Sequence, residues 1–252
     1  MFEKILKLPK RTQKARNHGL SMIMDKGLSV NDAKNLISVA SNHIDIIKLG
    51  FGTSLFTNNI KEKIKLYQKH EIKVYLGGTL FEAFIVQNKF KEYESLLLDL
   101  NLKMVEVSDG CTYINHEDKC RYINELSKNF KVVSEVGSKN ENTEINIDKW
   151  ISQMQLEIKA GSWKVIAEAR ESGNVGVFNK NGNVKSSFIQ KICDNINVNN
   201  IIWEAPVKNQ QAWFIKNLGT NVNIGNINPS DIIPLECLRV GLRGDTFDNF
   251  IL

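Results

Sequence analysis

Residues 164–173 read KVIAEARESG: an apolar run, Val165, Ile166, Ala167 and Ala169, that closes on Glu168, Arg170, Glu171 and a glycine. The run suits a strand covered on both faces, whereas the charged groups are costly to bury unless they are paired. The same grammar recurs along the chain. SMIMDKG ends on Asp25 and Lys26, IIKLG carries Lys48, MVEVSDG carries Glu106 and Asp109, VVSEVG carries Glu135, and IIWEAP carries Glu204 with Lys208 close behind. Gathered in one place, the carboxylates suit a hard divalent cation, Mg²⁺ being the usual choice beside phosphate, and the lysines and arginine suit an anionic substrate. One charged residue at a strand end reads more simply as a loop ion pair or a cap; a set at most strand ends asks for a common explanation.

That explanation depends on what positions them. Short β-branched runs alternate with longer amphipathic ones, the pattern of repeated βα units on a parallel sheet. Eight strands are expected, near 19–24, 44–49, 72–77, 103–107, 131–136, 164–169, 200–204 and 221–225. Helical stretches lie between them, among them SVNDAKNLISVASN, NIKEKIKLYQKH, HEDKCRYINELSKN and KNQQAWFIKNLG, with apolar residues at spacings of three and four. Eight such units in 252 residues without a Pro-, Gly- or Ser-rich linker predict a single-domain (β/α)8 TIM barrel over 1–252, preceded by a short basic arm over about 1–18. The alternative is an open doubly wound sheet, but no GxGxxG follows the first strand. In a barrel, the carboxyl ends of the strands converge on one volume, so the polar strand ends predict one site. The polar opening of the 138–162 segment is expected to form an extended loop of the kind that serves as a lid.

Glycine-rich turns supply candidates for holding phosphate. KLGFGTS places Gly50, Gly52, Thr53 and Ser54 after the second strand, and LGGTLFE does the same after the third; in both, bare amides and hydroxyls could hold an anion. In barrels the commoner phosphate position follows strands seven and eight, where NIGNINP and RVGLRGDTF offer Asn223, Asn226, Arg239 and Arg243.

Composition narrows the field. With 42% hydrophobic residues the chain can bury a large core, and it contains no run of ~18 apolar residues and no cleavable leader pattern. A cytoplasmic protein without membrane contact is expected. The four cysteines, Cys111, Cys120, Cys193 and Cys237, form no CxxC pair and predict neither a zinc site nor a disulfide framework. The net charge of +5 is concentrated near the start, in Lys7, Lys10, Arg11, Lys14 and Arg16, without aromatic residues for base stacking, so a solvated arm is expected and nucleic acid is not a partner. His18, His43, His70 and His116 read as surface residues. Trp150, Ile151 and Met154 could meet a second copy in a homo-oligomer.

Taken together, SMIMDKG, IKLGFGTS, YLGGTLFE, VEVSDG, VSEVGSK, AEARESG, WEAPVKNQQ, NVNIGNI and LECLRVGLRGDTF resemble the phosphosulfolactate synthase family, in the family's order from about residue 19 to residue 247. The arm, the CTYINHEDK stretch and the ENTEIN loop match weakly. The resemblance implies a Mg²⁺-dependent (β/α)8 lyase that adds sulfite to phosphoenolpyruvate, giving (2R)-O-phospho-3-sulfolactate, a precursor of coenzyme M in archaea and of sulfolactate in some spore-forming bacteria. It implies that Lys139 is the general acid, with Glu135 and Lys48 beside it in the catalytic group. Metal binding is assigned to Glu106, Glu135 and Glu168, with Asp25 as an alternative. Substrate binding falls to Arg170, Lys208, Thr53, Ser54 and Asn226. Two other readings stay open: another barrel enzyme acting on a phosphorylated enol or keto acid, and a non-catalytic relative that binds a phosphorylated metabolite.

Overall fold

The computed structural model describes residues 5–137, 146–169 and 172–251. Eight strands are present: β1 (Ser21–Asp25), β2 (Ile46–Leu49), β3 (Lys73–Leu76), β4 (Met104–Val107), β5 (Lys131–Val136), β6 (Ser162–Ala167), β7 (Ile201–Glu204) and β8 (Ile224–Ile227). The helices are α1 (Val30–Ala40), α2 (Ile60–Lys69), α3 (Gly78–Val86), α4 (Phe90–Asp99), α5 (His116–Ser127), α6 (Ile147–Ala160), α7 (Ser186–Asn195), α8 (Lys208–Leu218), α9 (Ile232–Arg239) and the short α10 (Phe247–Phe250). All strand pairings are parallel, in the order β3-β2-β1-β8-β7-β6-β5-β4, and β3 packs against β4 to bring the ends of the sheet together. This is the expected (β/α)8 barrel.

Local chemistry explains where elements begin. Ser29 and Asp32 form a reciprocal capping box at the start of α1, and the side chains of Asn115 and Asn146 accept from free amides at the starts of α5 and α6. Three expectations shift. The last strand lies at 224–227 rather than 221–225, and β6 covers 162–167, so Glu168 follows the strand instead of ending it. YLGGTLFE is not a loop but the end of β3 running straight into α3.

The register sorts the side chains into two layers. Outward positions, such as Ile23, Ile47, Val105, Val165 and Trp203, join the helices in the large outer core. Inward positions form three tiers inside the barrel. The middle tier is apolar: Leu20, Met22, Ile46, Tyr75, Met104, Val133, Ile166 and Ile202, with the Tyr75 hydroxyl donating to Met22 Sδ at 2.7 Å. One step further along each strand lie Met24, Lys48, Glu106, Glu135, Glu168 and Glu204, at or just past the carboxyl ends; one step back lie Lys73, Lys131 and Lys164.

The basic arm is not solvated as expected. Arg11 donates to Glu236, Asn221 and the Gly19 carbonyl, Lys14 donates to the Ser41 and His70 carbonyls, and Arg16 pairs with Asp45 at 3.0 Å with both side chains buried. Apart from Glu236 on α9, these partners precede strands, so the arm straps the amino-terminal end of the barrel beneath β8, β1, β2 and β3. Trp150, Ile151 and Met154 are also turned inward: they belong to the outer core, with the indole of Trp150 edge-on to Phe188, and are not free to meet a partner subunit.

Candidate active site

At the carboxyl end of the barrel lies a cavity of about 350 Å³ lined by Met24, Lys48, Phe51, Gly78, Thr79, Glu135, Glu168, Ser172, Glu204 and Asn226. Its centre is Lys48. From β2, the ammonium donates to Glu106 at 3.0 Å, Glu135 at 3.3 Å and Glu204 at 3.4 Å, and all four side chains are buried. Burial alone would lower the Lys48 pKa, but the charges of Glu106, Glu135 and Glu204 outweigh it and hold the amine well above its ordinary value. Lys48 is therefore a fixed cation at neutral pH.

Each carboxylate has its own placement. Glu106 accepts from the Gly78 amide at 3.1 Å, which commits the first amide of α3 to a side chain rather than to a ligand. A Cβ at Gly78 would collide with Ser108, so only glycine lets α3 come this close. Glu204 accepts from the Ala169 amide at 3.1 Å, tying the end of β7 to the chain leaving β6. Glu135, Glu168 and Glu204 each present an oxygen within 4.8 Å of the others, a spacing that a metal ion can bridge. Glu106, placed with the metal from sequence, lies outside that group, and Glu204, noted only as a strand-end carboxylate, takes its place.

Behind Glu135 is a residue that sequence reasoning passed over. Lys119 of α5 is buried and donates to the Glu135 carbonyl at 2.6 Å and to Asp109 at 2.8 Å, and it pairs with Glu157 of α6 at 2.8 Å. Burial opposes the charge on Lys119, yet Glu157 and Asp109 raise its pKa; burial likewise opposes Glu157, whose pKa Lys119 lowers. His116 also reaches Glu157, at 3.3 Å, and is not the free surface residue expected. Helical spacing alone shows Lys119 on α5, but not that it points under a strand end.

Asn226 reaches the cavity through an irregularity. The β1–β8 register shifts between Ser21 and Ile23, and Asn226 adopts φ +57°, so β8 carries one extra residue that turns the amide toward the mouth. Its Oδ1 is buried and has no hydrogen-bond partner among the described residues.

The remaining predicted residues scatter. Lys139 and Arg170 lie outside the described residues. Lys208 opens α8 and pairs with Asp245 at 3.0 Å, with Arg243 nearby, outside the cavity lining. Thr53 gives its hydroxyl to the Gly50 carbonyl and lines a neighbouring hollow with Lys26 and Phe56; Ser54 continues the same short turn. Asp25 is held by Lys63, Tyr67 and the amides of Gly27 and Leu28, so it braces the β1–α1 turn. Asn223 and Arg239 fall at the opposite end of the barrel, where they satisfy the Leu20 amide and the carbonyls of Leu20, Thr220 and Val222; they cannot hold a phosphate at the mouth.

A closed parallel barrel with a buried, carboxylate-lined mouth defines a TIM-barrel enzyme site suited to a cation and a small anion. Solved structures agree on the fold alone: 3-hexulose-6-phosphate synthase from Salmonella typhimurium superposes with a TM-score of 0.53 at 15% identity, over 87% of this chain and 99% of that one. Residues 9–245 match the family described as (2R)-phospho-3-sulfolactate synthase (ComA), and the chain belongs to that family. It is 40% identical over 245 residues to the phosphosulfolactate synthase of Bacillus subtilis (strain 168), covering 96% of this chain and 97% of the relative. It is 38% identical over 244 residues to that of Methanothermobacter thermautotrophicus, covering 94% and 95%.

Proposed function

We propose that this chain catalyses the Mg²⁺-dependent addition of sulfite to phosphoenolpyruvate, forming (2R)-O-phospho-3-sulfolactate. The observation that carries the reading is the meeting of three buried carboxylates, Glu135, Glu168 and Glu204, with Lys48 at one cavity, in a chain whose residues 9–245 match the (2R)-phospho-3-sulfolactate synthase family. The all-oxygen donor set fits a hard divalent cation, with Glu135, Glu168 and Glu204 as its holders. When bound, such a cation supplies positive charge for the substrate carboxylate.

The residues of the chain do the rest. The sulfite sulfur forms a bond to the CH₂ carbon of phosphoenolpyruvate, and the alkene pair moves toward the substrate carboxylate. The adjacent carbon then takes a proton from one face, which sets the R configuration. Glu106, Glu135 and Glu204 hold Lys48 as a cation, so its assigned part is to orient and stabilise the substrate. Lys139 is assigned the proton, and Arg170 pairs with the carboxylate or phosphate through its planar fork. Asn226 offers its amide at the mouth, while Thr53, Ser54 and Lys208 form the outer approach for anions.

The test is the purified protein with phosphoenolpyruvate, sulfite and Mg²⁺, read by mass spectrometry. Phosphosulfolactate, absent when sulfite is omitted, is the expected result. No product with any divalent ion overturns the assignment.

A further inference from the structure

The lysine that opens KVIAEARESG plays no part in the chemistry above. Lys164 is the register partner of Val133 and points into the barrel at its amino-terminal end, beneath the apolar tier. Trp163, brought inward by the register shift between Val132 and Val133, packs its ring against that tier. Three ammonium groups gather on this indole: Lys131 Nζ at 4.4 Å from the ring centre, Lys164 Nζ at 4.6 Å and Lys73 Nζ at 5.9 Å. They come from three strands, β5, β6 and β3, so the gathering is a product of the closed barrel and not of sequence neighbours.

No ion pair involves any of the three among the described residues, and Asp45, on the same face, is paired with Arg16 in the arm. A cation is attracted to the face of an aromatic ring, and like charges this close oppose one another. The strain has a visible sign. Burial and the Lys131 charge push Lys164 down to about 8, and burial and the Lys73 charge lower Lys131. Lys164 is only 4% exposed, so water does little to relieve it.

We propose that the amino-terminal end of the barrel is a second anion site, in which Lys73, Lys131 and Lys164 close around a small multivalent oxyanion of the phosphate type beside Trp163. Lysine stems are flexible enough to turn three ammonium groups onto one anion, and an oxyanion offers each an acceptor. The arm covers the openings under β8, β1, β2 and β3, which leaves the β5–β6 side, where Lys131 is exposed, as the way in.

The experiment is thermal unfolding of the parent, Lys164→Met and Lys164→Arg in inorganic phosphate against chloride at equal ionic strength. Because phosphate can also enter the mouth, the readout is the difference between parent and variant. Phosphate is expected to raise the parent's midpoint about 2–4 °C more than it raises that of Lys164→Met. Lys164→Arg, which keeps the charge, should retain the parent's response. Lys164→Met in chloride should be as stable as the parent or more so, since the repulsion is gone. The same titration with pyrophosphate and with ADP tells a free oxyanion from a nucleotide phosphate, and a Lys164-dependent rise with either supports the site. An equal phosphate rise in parent and Lys164→Met, or none in the parent, overturns the proposal.

Discussion

The two ends of the barrel interior are built from the same strands and separated by one apolar tier, yet among the described residues carboxylates crowd one end and lysines the other. At the carboxyl end, Lys48 stands among Glu106, Glu135 and Glu204, with Glu168 beside them; at the amino end, Lys73, Lys131 and Lys164 stand around Trp163, with no carboxylate paired to them among the described residues. The pKa shifts run in opposite directions. The lysine among carboxylates is held well above its ordinary value, and the lysine among lysines is pushed down to about 8. Burial opposes the charge on both lysines; at Lys48 the three carboxylates together outweigh it, and at Lys164 the Lys131 charge adds to it. On the proposed reading, the carboxyl end holds a cation and then an anion, and the amino end holds an anion directly.

The sharpest way to break this contrast is at Lys48. Lys48→Met removes the cation common to three carboxylates, and turnover should fall by about 10²–10³-fold, as for loss of a preorganised electrostatic group. Chemical unfolding should show a loss of about 3 kcal/mol, because the glutamates lose a counter-charge in a buried setting. Unchanged stability and turnover would reduce Lys48 to a bystander.

If Lys139 is the proton donor proposed above, Lys139→Arg keeps the cation but holds its proton far more tightly. Turnover should drop about 10²-fold with the Michaelis constant for phosphoenolpyruvate nearly unchanged. Near-normal steady-state turnover would move the proton to another donor.

A smaller effect separates two glutamates. Glu204→Gln should raise the Mg²⁺ concentration for half-maximal rate by about tenfold or more, since an amide replaces a charged oxygen poorly. Glu106→Gln should lower turnover while leaving that concentration in place, because Glu106 positions Lys48 and the start of α3. Equal metal shifts in Mg²⁺ titrations of both variants would restore Glu106 to the metal.

The smallest effect reads the other end. The folded pKa of Lys164, about 8, lies below its unaltered value of 10.5, so between the two the unfolded chain holds one proton more than the folded chain. Stability from this group therefore rises with pH through that window and is constant below it. Urea midpoints of parent and Lys164→Met, compared near pH 7.5 and about pH 9.5, should converge or cross as this gain appears in the parent alone. Parallel lines would mean that Lys164 titrates as a solvated lysine.

Much of this was legible in the chain because strand alternation is a local property. The pairs Val133 and Glu135, Met104 and Glu106, or Ile202 and Glu204 announce an inward face that turns polar at one end. The strand ends were found for that reason, and the helical stretches read from the sequence lacked only their exact limits. Asn223 and Arg239 were misplaced because a motif after a strand does not say which end of the barrel its side chains reach. What holds Asp25 was not visible in the sequence, because its partners, Lys63 and Tyr67, lie on α2.

The repeat of βα units, the polar strand ends and the family motifs were set by sequence alone, since periodicity and residue type need no partner to be recognised. Which glutamates share one volume, that Lys119 braces Glu135 from beneath, and that three lysines from β3, β5 and β6 meet on Trp163 were decided only by the closed barrel. Closure brings residues far apart in the chain to a common axis, and the bulges that turn Trp163 and Asn226 inward depend on register between strands. No window of sequence contains that register, because it is a relation between two strands rather than a property of either.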